Sequence, residues 1–124
     1  MLVWLAASER VPGDAPGAEF HFIRLEYRDR PELRRPWRIG WLMQDAPEAD
    51  AHFFHRIARL TRIDTGEPRS FPLTDDRIFD YPWAYATQVG YWDLSDQETA
   101  QLREYLLRGG FLVVDDFHGP RQWQ

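Results

Sequence analysis

Residues Ser95 to Gly119, SDQETAQLREYLLRGGFLVVDDFHG, decide the fold. Ser95 stands three residues before Glu98, the spacing at which an N-cap hydroxyl and a returning carboxylate satisfy each other's backbone donors. Leu102, Tyr105, Leu106 and the methyl of Thr99 fall three and four apart, so a helix starting here presents one apolar stripe. Gly109 and Gly110 can take the left-handed conformation that closes a helix. Phe111 to Val114 then has no polar member in either alternating register, the pattern of a strand covered on both faces. Asp115 and Asp116 end it. In a doubly wound sheet, ligands sit beyond the carboxyl ends of the strands, which puts these aspartates and His118 where chemistry can occur.

The 124 residues allow one core. An aromatic share of 15%, with six Trp, places the chain among ordered globular domains. The net charge of −5 argues against a nucleic-acid footprint, which needs clustered positive charge. The absence of Cys removes disulfides, thiolate metal sites and a cysteine nucleophile together.

Read in order, residues 1–8 form an apolar run too short to span a bilayer, and residues 9–18 have the Pro, Gly and charge content of a linker. Together they precede a single domain over 19–124. Glu19 to Tyr27 is predicted to be the first strand, with Phe20 and Phe22 on one face and Ile23, Leu25 and Tyr27 on the other. Arg24 and Glu26 continue the Phe face, which must therefore become polar or ion-paired. Trp37, Ile39 and Trp41 alternate as a short extended piece. Asp45, with Glu48 at capping-box distance and Pro47 in the first turn, opens a helix. Its predicted buried face is Phe53, Ile57 and Leu60, widened by Phe54 and Ala58. Arg69 to Leu73 reads as a second strand, Thr74-Asp75-Asp76 as the cap of a brief turn through Phe79, and Trp83 to Val89 as a third strand. The order of elements predicts an α/β domain with a mostly parallel sheet in spatial order 2-1-3-4.

That order makes the first and third strands neighbours, so Tyr27, Arg28, Gln88, Tyr91 and Asp115 are expected around one ligand crevice at the carboxyl edge. Asp115, Asp116 and His118 are the candidate catalytic groups, with hard-ligand and acid–base chemistry. Against this, paired acids after a strand commonly cap a turn or accept from loop amides, and adjacent side chains diverge, so one Asp should face inward and one outward. Asp75-Asp76 is better explained as a helix cap. His52 and His55 share a helix face, but the arginines beside them disfavour a cation, and a solvated basic face accounts for them. Tyr81, Trp83, Tyr85, Tyr91 and Trp92 have the chemistry of a stacking platform, yet aromatics at strand spacing more often build a core. There is no phosphate-binding Gly-rich loop, nucleophile elbow or His-Glu-x-x-His. No metal and no cofactor is expected.

The segments FHFIRLEY, DAPEADAHFFHRIARLTRI, PLTDDRIFDYPWAYATQVGYWDLSDQE and above all LREYLLRGGFLVVDDFHG resemble the bacterial family of domains of unknown function 4159. The resemblance implies a three-layer, flavodoxin-like domain related to class I glutamine amidotransferases. It also implies an exported or periplasmic setting, since many members carry export signals or follow membrane segments. The family has no activity to transfer, and this chain lacks the Cys that amidotransferases acylate. Members typically continue past the tryptophan matching Trp123, so a shortened C-terminus is expected. The resulting expectation is a non-catalytic ligand-binding or assembly module. The alternative is a metal-assisted hydrolase using Asp115, Asp116 and His118. With so little chain after the fourth strand, its apolar edge needs another cover: the LVWLA run at residues 2–6, or a second copy meeting it edge to edge. The second copy is favoured because a symmetric pair buries two such edges at once.

Overall fold

The computed structural model describes residues 17–28 and 46–115, which form a parallel sheet with a helix on each face. The strands are β1 (Ile23–Glu26), β2 (Arg69–Pro72), β3 (Trp83–Thr87) and β4 (Phe111–Asp115), and the helices are α1 (Glu48–Leu60) and α2 (Asp96–Leu107). The four strands lie in the order β2-β1-β3-β4, all parallel. This is the α/β arrangement that alternating strands and helices predict, and it is consistent with the flavodoxin-like three-layer fold that the resemblance implies.

Alternation along β1 assigns the layers. Ile23 and Leu25 point to the face where Leu102 and Tyr105 of α2 join Phe71, Leu73, Ile78 and Tyr81 in the main core. Phe22 and Arg24 point to the other face, where they meet α1: the Phe22 and Phe53 rings lie 5.5 Å apart and Arg24 pairs with Asp50. Small Ala84 and Ala86 of β3 let α2 and the 3-10 turn at Asp76–Asp80 approach the sheet closely.

Arg24 is only 2% exposed. Its Nε donates to Asp50 Oδ2 at 2.9 Å, a second guanidinium nitrogen donates to Oδ1, and the group lies 5.0 Å over the Tyr85 ring. The expected ion-pairing of the Phe face is thus met by an acid from the first turn of α1, and Glu26 completes the same face by accepting from the Ser70 hydroxyl.

α2 bears out the capping box. Ser95 Oγ accepts from the Glu98 amide at 3.2 Å, and Glu98 accepts from the Ser95 amide at 2.7 Å. Its buried stripe, however, is Glu98, Leu102 and Tyr105, with Thr99 and Leu106 exposed. The helix turns a capping carboxylate toward the sheet because three donors meet it there. Gly109, at φ +90°, stops the helix. Gly110 serves close approach instead, since a Cβ there would stand 2.4 Å from the Tyr105 ring. Burial pushes the Tyr105 phenol up to about 12, and it donates to the Tyr81 carbonyl at 3.0 Å.

Several expected boundaries and faces are corrected. α1 begins at Glu48 with Pro47 as an N-cap that makes no side-chain bond; Asp45 lies outside the described residues. The buried members of α1 are Asp50 and Phe54, with Ile57 half-buried, whereas Leu60 is 79% exposed and Ala58 is also exposed. The Arg24–Asp50 pair fixes this rotation. β1 is shorter than expected, with Phe20 making only an isolated bridge to Thr65. β3 ends at Thr87 because Gln88 turns left-handed. β4 is not covered on both faces: it lies at the sheet edge among the described residues, and Phe111 is 62% exposed. The LVWLA run and the extended piece from Trp37 to Trp41 lie outside the described residues.

Candidate functional site

The carboxyl ends of β1, β3 and β4 converge on one edge of the sheet. From β1, Tyr27 donates its hydroxyl to the Thr87 carbonyl at the end of β3 and packs edge-on to Trp92, with ring centroids 5.4 Å apart. From β3, the chain turns at Gln88 (φ 57°, ψ 34°), a left-handed conformation uncommon for a residue with a Cβ. A 3-10 turn follows over Val89–Tyr91, closed by the Tyr91 amide on the Gln88 carbonyl at 3.0 Å. From β4, the Asp115 carbonyl accepts from the Gln88 amide at 3.0 Å, and its carboxylate lies 3.4 Å from the Tyr85 hydroxyl.

The segment after β3 is fastened to the end of β1 by reciprocal bonds. The Asp93 amide donates to the Arg28 carbonyl at 3.0 Å, Arg28 Nε donates to the Asp93 carbonyl at 2.8 Å, and the two side chains form an ion pair at 3.2 Å. Glu98 joins this clamp, since its Oε1 accepts from the Arg28 amide at 2.8 Å while Oε2 holds Ser95. Burial acts to raise the Glu98 carboxyl, but the donors from Ser95 and Arg28 outweigh it and hold the group below its ordinary value. The residue that caps α2 therefore also fixes the backbone at the mouth of the β1–β3 junction.

Tyr27, Arg28, Gln88, Tyr91 and Asp115 thus all stand at this edge. Tyr27 and Gln88 are buried, Gln88 to 1% exposure, and lie beneath the surface; Arg28 and Asp115 are exposed and Tyr91 is half-buried. Asp115 faces outward, while Asp116 and His118 lie outside the described residues.

Among the described residues no group of His, Asp and Glu is arranged to hold a metal ion. His52 and His55 are exposed on α1. Asp75 acts as a cap, accepting from the Arg77 amide at 2.9 Å, and the Arg77 side chain holds its carboxyl below the usual range. The candidate aromatic platform is divided: Tyr81 lies in the α2-side core, whereas Trp83 and Tyr85 join Phe22 on the α1 side. Sequence reasoning did not single out Glu98 and Asp93 as clamps on Arg28, because nothing in local spacing connects residues 65 and 70 positions apart. A cleft of about 290 Å³ lies at the opposite edge between Phe79, Tyr81, Tyr105 and Arg108. No described helix is long and apolar enough to cross a membrane.

The model of one protein family, Domain of unknown function (DUF4159), matches residues 21–124, and the chain belongs to that family. No curated protein and no solved structure matches it significantly.

Proposed function

We propose that this member of the family is a non-catalytic ligand-binding or assembly module of amidotransferase-like fold. Residues 19–124 would be its single domain, preceded by an apolar run and linker. Its ligand crevice is the carboxyl edge at the β1–β3 junction, with Arg28, Tyr91 and Asp115 at the rim over Tyr27 and Gln88. The observation that carries this reading is the switch point. β1 and β3 are neighbours, yet α1, which leads from β1 to β2, and α2, which leads from β3 to β4, lie on opposite faces. At such a point, above the carboxyl ends of the strands, ligands of open α/β sheets bind. The left-handed Gln88 at that point supports the same reading, because such backbone persists where surrounding structure holds it in place. Arg28 and Asp115 offer a guanidinium and a carboxylate, which suits a small polar ligand with both donors and acceptors. The acidic balance of the chain argues against nucleic acid, and without Cys the thioester chemistry of amidotransferases is unavailable. Assembly would proceed through the sheet edge as a homo-oligomer.

A thermal-shift screen against small polar metabolites tests the crevice. A compound that stabilises the wild type should bind Arg28→Ala or Asp115→Asn about tenfold more weakly, the loss expected for a hydrogen bond to a charged group. A stabilising compound bound equally well by both variants would refute this assignment.

A further inference from the structure

We infer that two copies of this chain pair through β4, antiparallel, about a twofold axis at Val113. The inference rests on the assembly half of the proposed function and not on the ligand crevice. The Phe111 amide donates to the Pro82 carbonyl and the Asp115 carbonyl accepts from the Gln88 amide, so alternate residues Phe111, Val113 and Asp115 direct their hydrogen-bonding groups at β3. Leu112 and Val114 therefore direct theirs away from β3, toward the outer edge, where no strand lies among the described residues.

Phe111 to Val114 carries no Pro and no charge, and Phe111 and Val114 are 62% and 40% exposed. Only one twofold register engages both outward residues of both copies: Leu112 opposite Val114 of its copy, exchanging reciprocal N–H to carbonyl bonds, with Val113 opposite itself. This register also sorts the charges. Arg108 precedes each strand and Asp115 ends it, so antiparallel pairing brings the basic start of one strand toward the acidic end of the other. Parallel pairing would set Asp115 beside its own copy. On the α2 face, Leu112 already packs against the core, and across the axis it meets Val114 of the copy, so the apolar layer continues across the junction. The partner is thus a second copy, joined into a sheet twice as wide.

Equilibrium sedimentation of the full chain, combined with amide hydrogen exchange across a dilution series, tests the pairing. The expected results are twice the 14.8 kDa chain mass at tens of micromolar and protection of the Leu112 and Val114 amides that is lost on dilution. Val114→Pro removes an outward donor that β3 does not use, and Val114→Lys places a charge at the edge; both should be monomeric with helical circular dichroism retained. A monomer at every concentration, or a dimer that survives both variants, overturns the inference. Protection of those amides independent of concentration would assign the edge to a segment of this chain, and exposure at every concentration would leave it to a different partner; either also overturns the inference. A monomer that still binds a polar compound at the carboxyl edge would overturn the pairing while leaving the crevice standing.

Discussion

Replacing Asp50 by Ala should be the most damaging single change on the α1 face. Arg24 is buried to 2% exposure at the centre of the sheet, and Asp50 receives two of its nitrogens from the first turn of α1. Loss of the carboxylate removes both bonds that Asp50 makes to this almost fully buried guanidinium, which lies 5.0 Å over the Tyr85 ring. Breaking a buried pair in this way costs about 3–5 kcal/mol, a large part of the roughly 5–15 kcal/mol that stabilises a typical domain. In urea, where small domains lose about 1–3 kcal/mol per molar, the midpoint should fall by about 2 M with the slope unchanged. Replacing both partners, Arg24→Met with Asp50→Leu, removes the charge together with its counter-charge and should recover most of the loss, because the ion pair's desolvation penalty disappears with it. The assay is chemical denaturation of the three proteins followed by fluorescence. An Asp50→Ala variant within about 0.5 kcal/mol of wild type, the range of an ordinary surface change, would refute the reasoning. So would a double variant no more stable than Asp50→Ala.

Four further outcomes follow from α2 and its ends. Ser95→Ala should cost about 1 kcal/mol in denaturation, the usual loss for an N-cap. Glu98, held below its ordinary value of 4.5 by Ser95 and Arg28, contributes stability that is fully present above pH 4.5 and is lost as the pH falls through its depressed folded value; the acid limb of a stability–pH curve should therefore flatten in Glu98→Gln. Gly109→Ala should lose about 1–2 kcal/mol to its left-handed backbone. Gly110→Ala should lose more in the same melts, because its new methyl meets the buried Tyr105 ring at 2.4 Å while the space around Gly109 is open.

The sequence was most legible where a rule is local. The capping box at Ser95 and Glu98, the stop at Gly109 and the alternation through β1 and β3 all depend on neighbours a few residues apart, and strand order followed from the sequence of elements. The rotation of α1 was legible only in part: hydrophobicity alone favoured Phe53, Ile57 and Leu60, widened by Phe54 and Ala58, and Phe54 is buried, but the buried Arg24 requires an acid opposite it, which turns Asp50 inward. The same limit applies to α2, where Glu98 is buried because a distant amide, that of Arg28, awaits it. The openness of β4 was likewise hidden, since an apolar run predicts the need for cover and not its supplier. Which strand ends converge was readable from topology; the clamp that joins Arg28 to Asp93 and Glu98 depends on long-range contacts that spacing does not encode.

The most direct measurement is a crystal structure of the full chain with a compound from the stabilising screen bound. The account predicts density above the carboxyl ends of β1 and β3, in contact with Arg28, Tyr91 or Asp115. A compound seated instead in the opposite-edge cleft beside Tyr105 and Arg108, with the carboxyl edge empty, would contradict it.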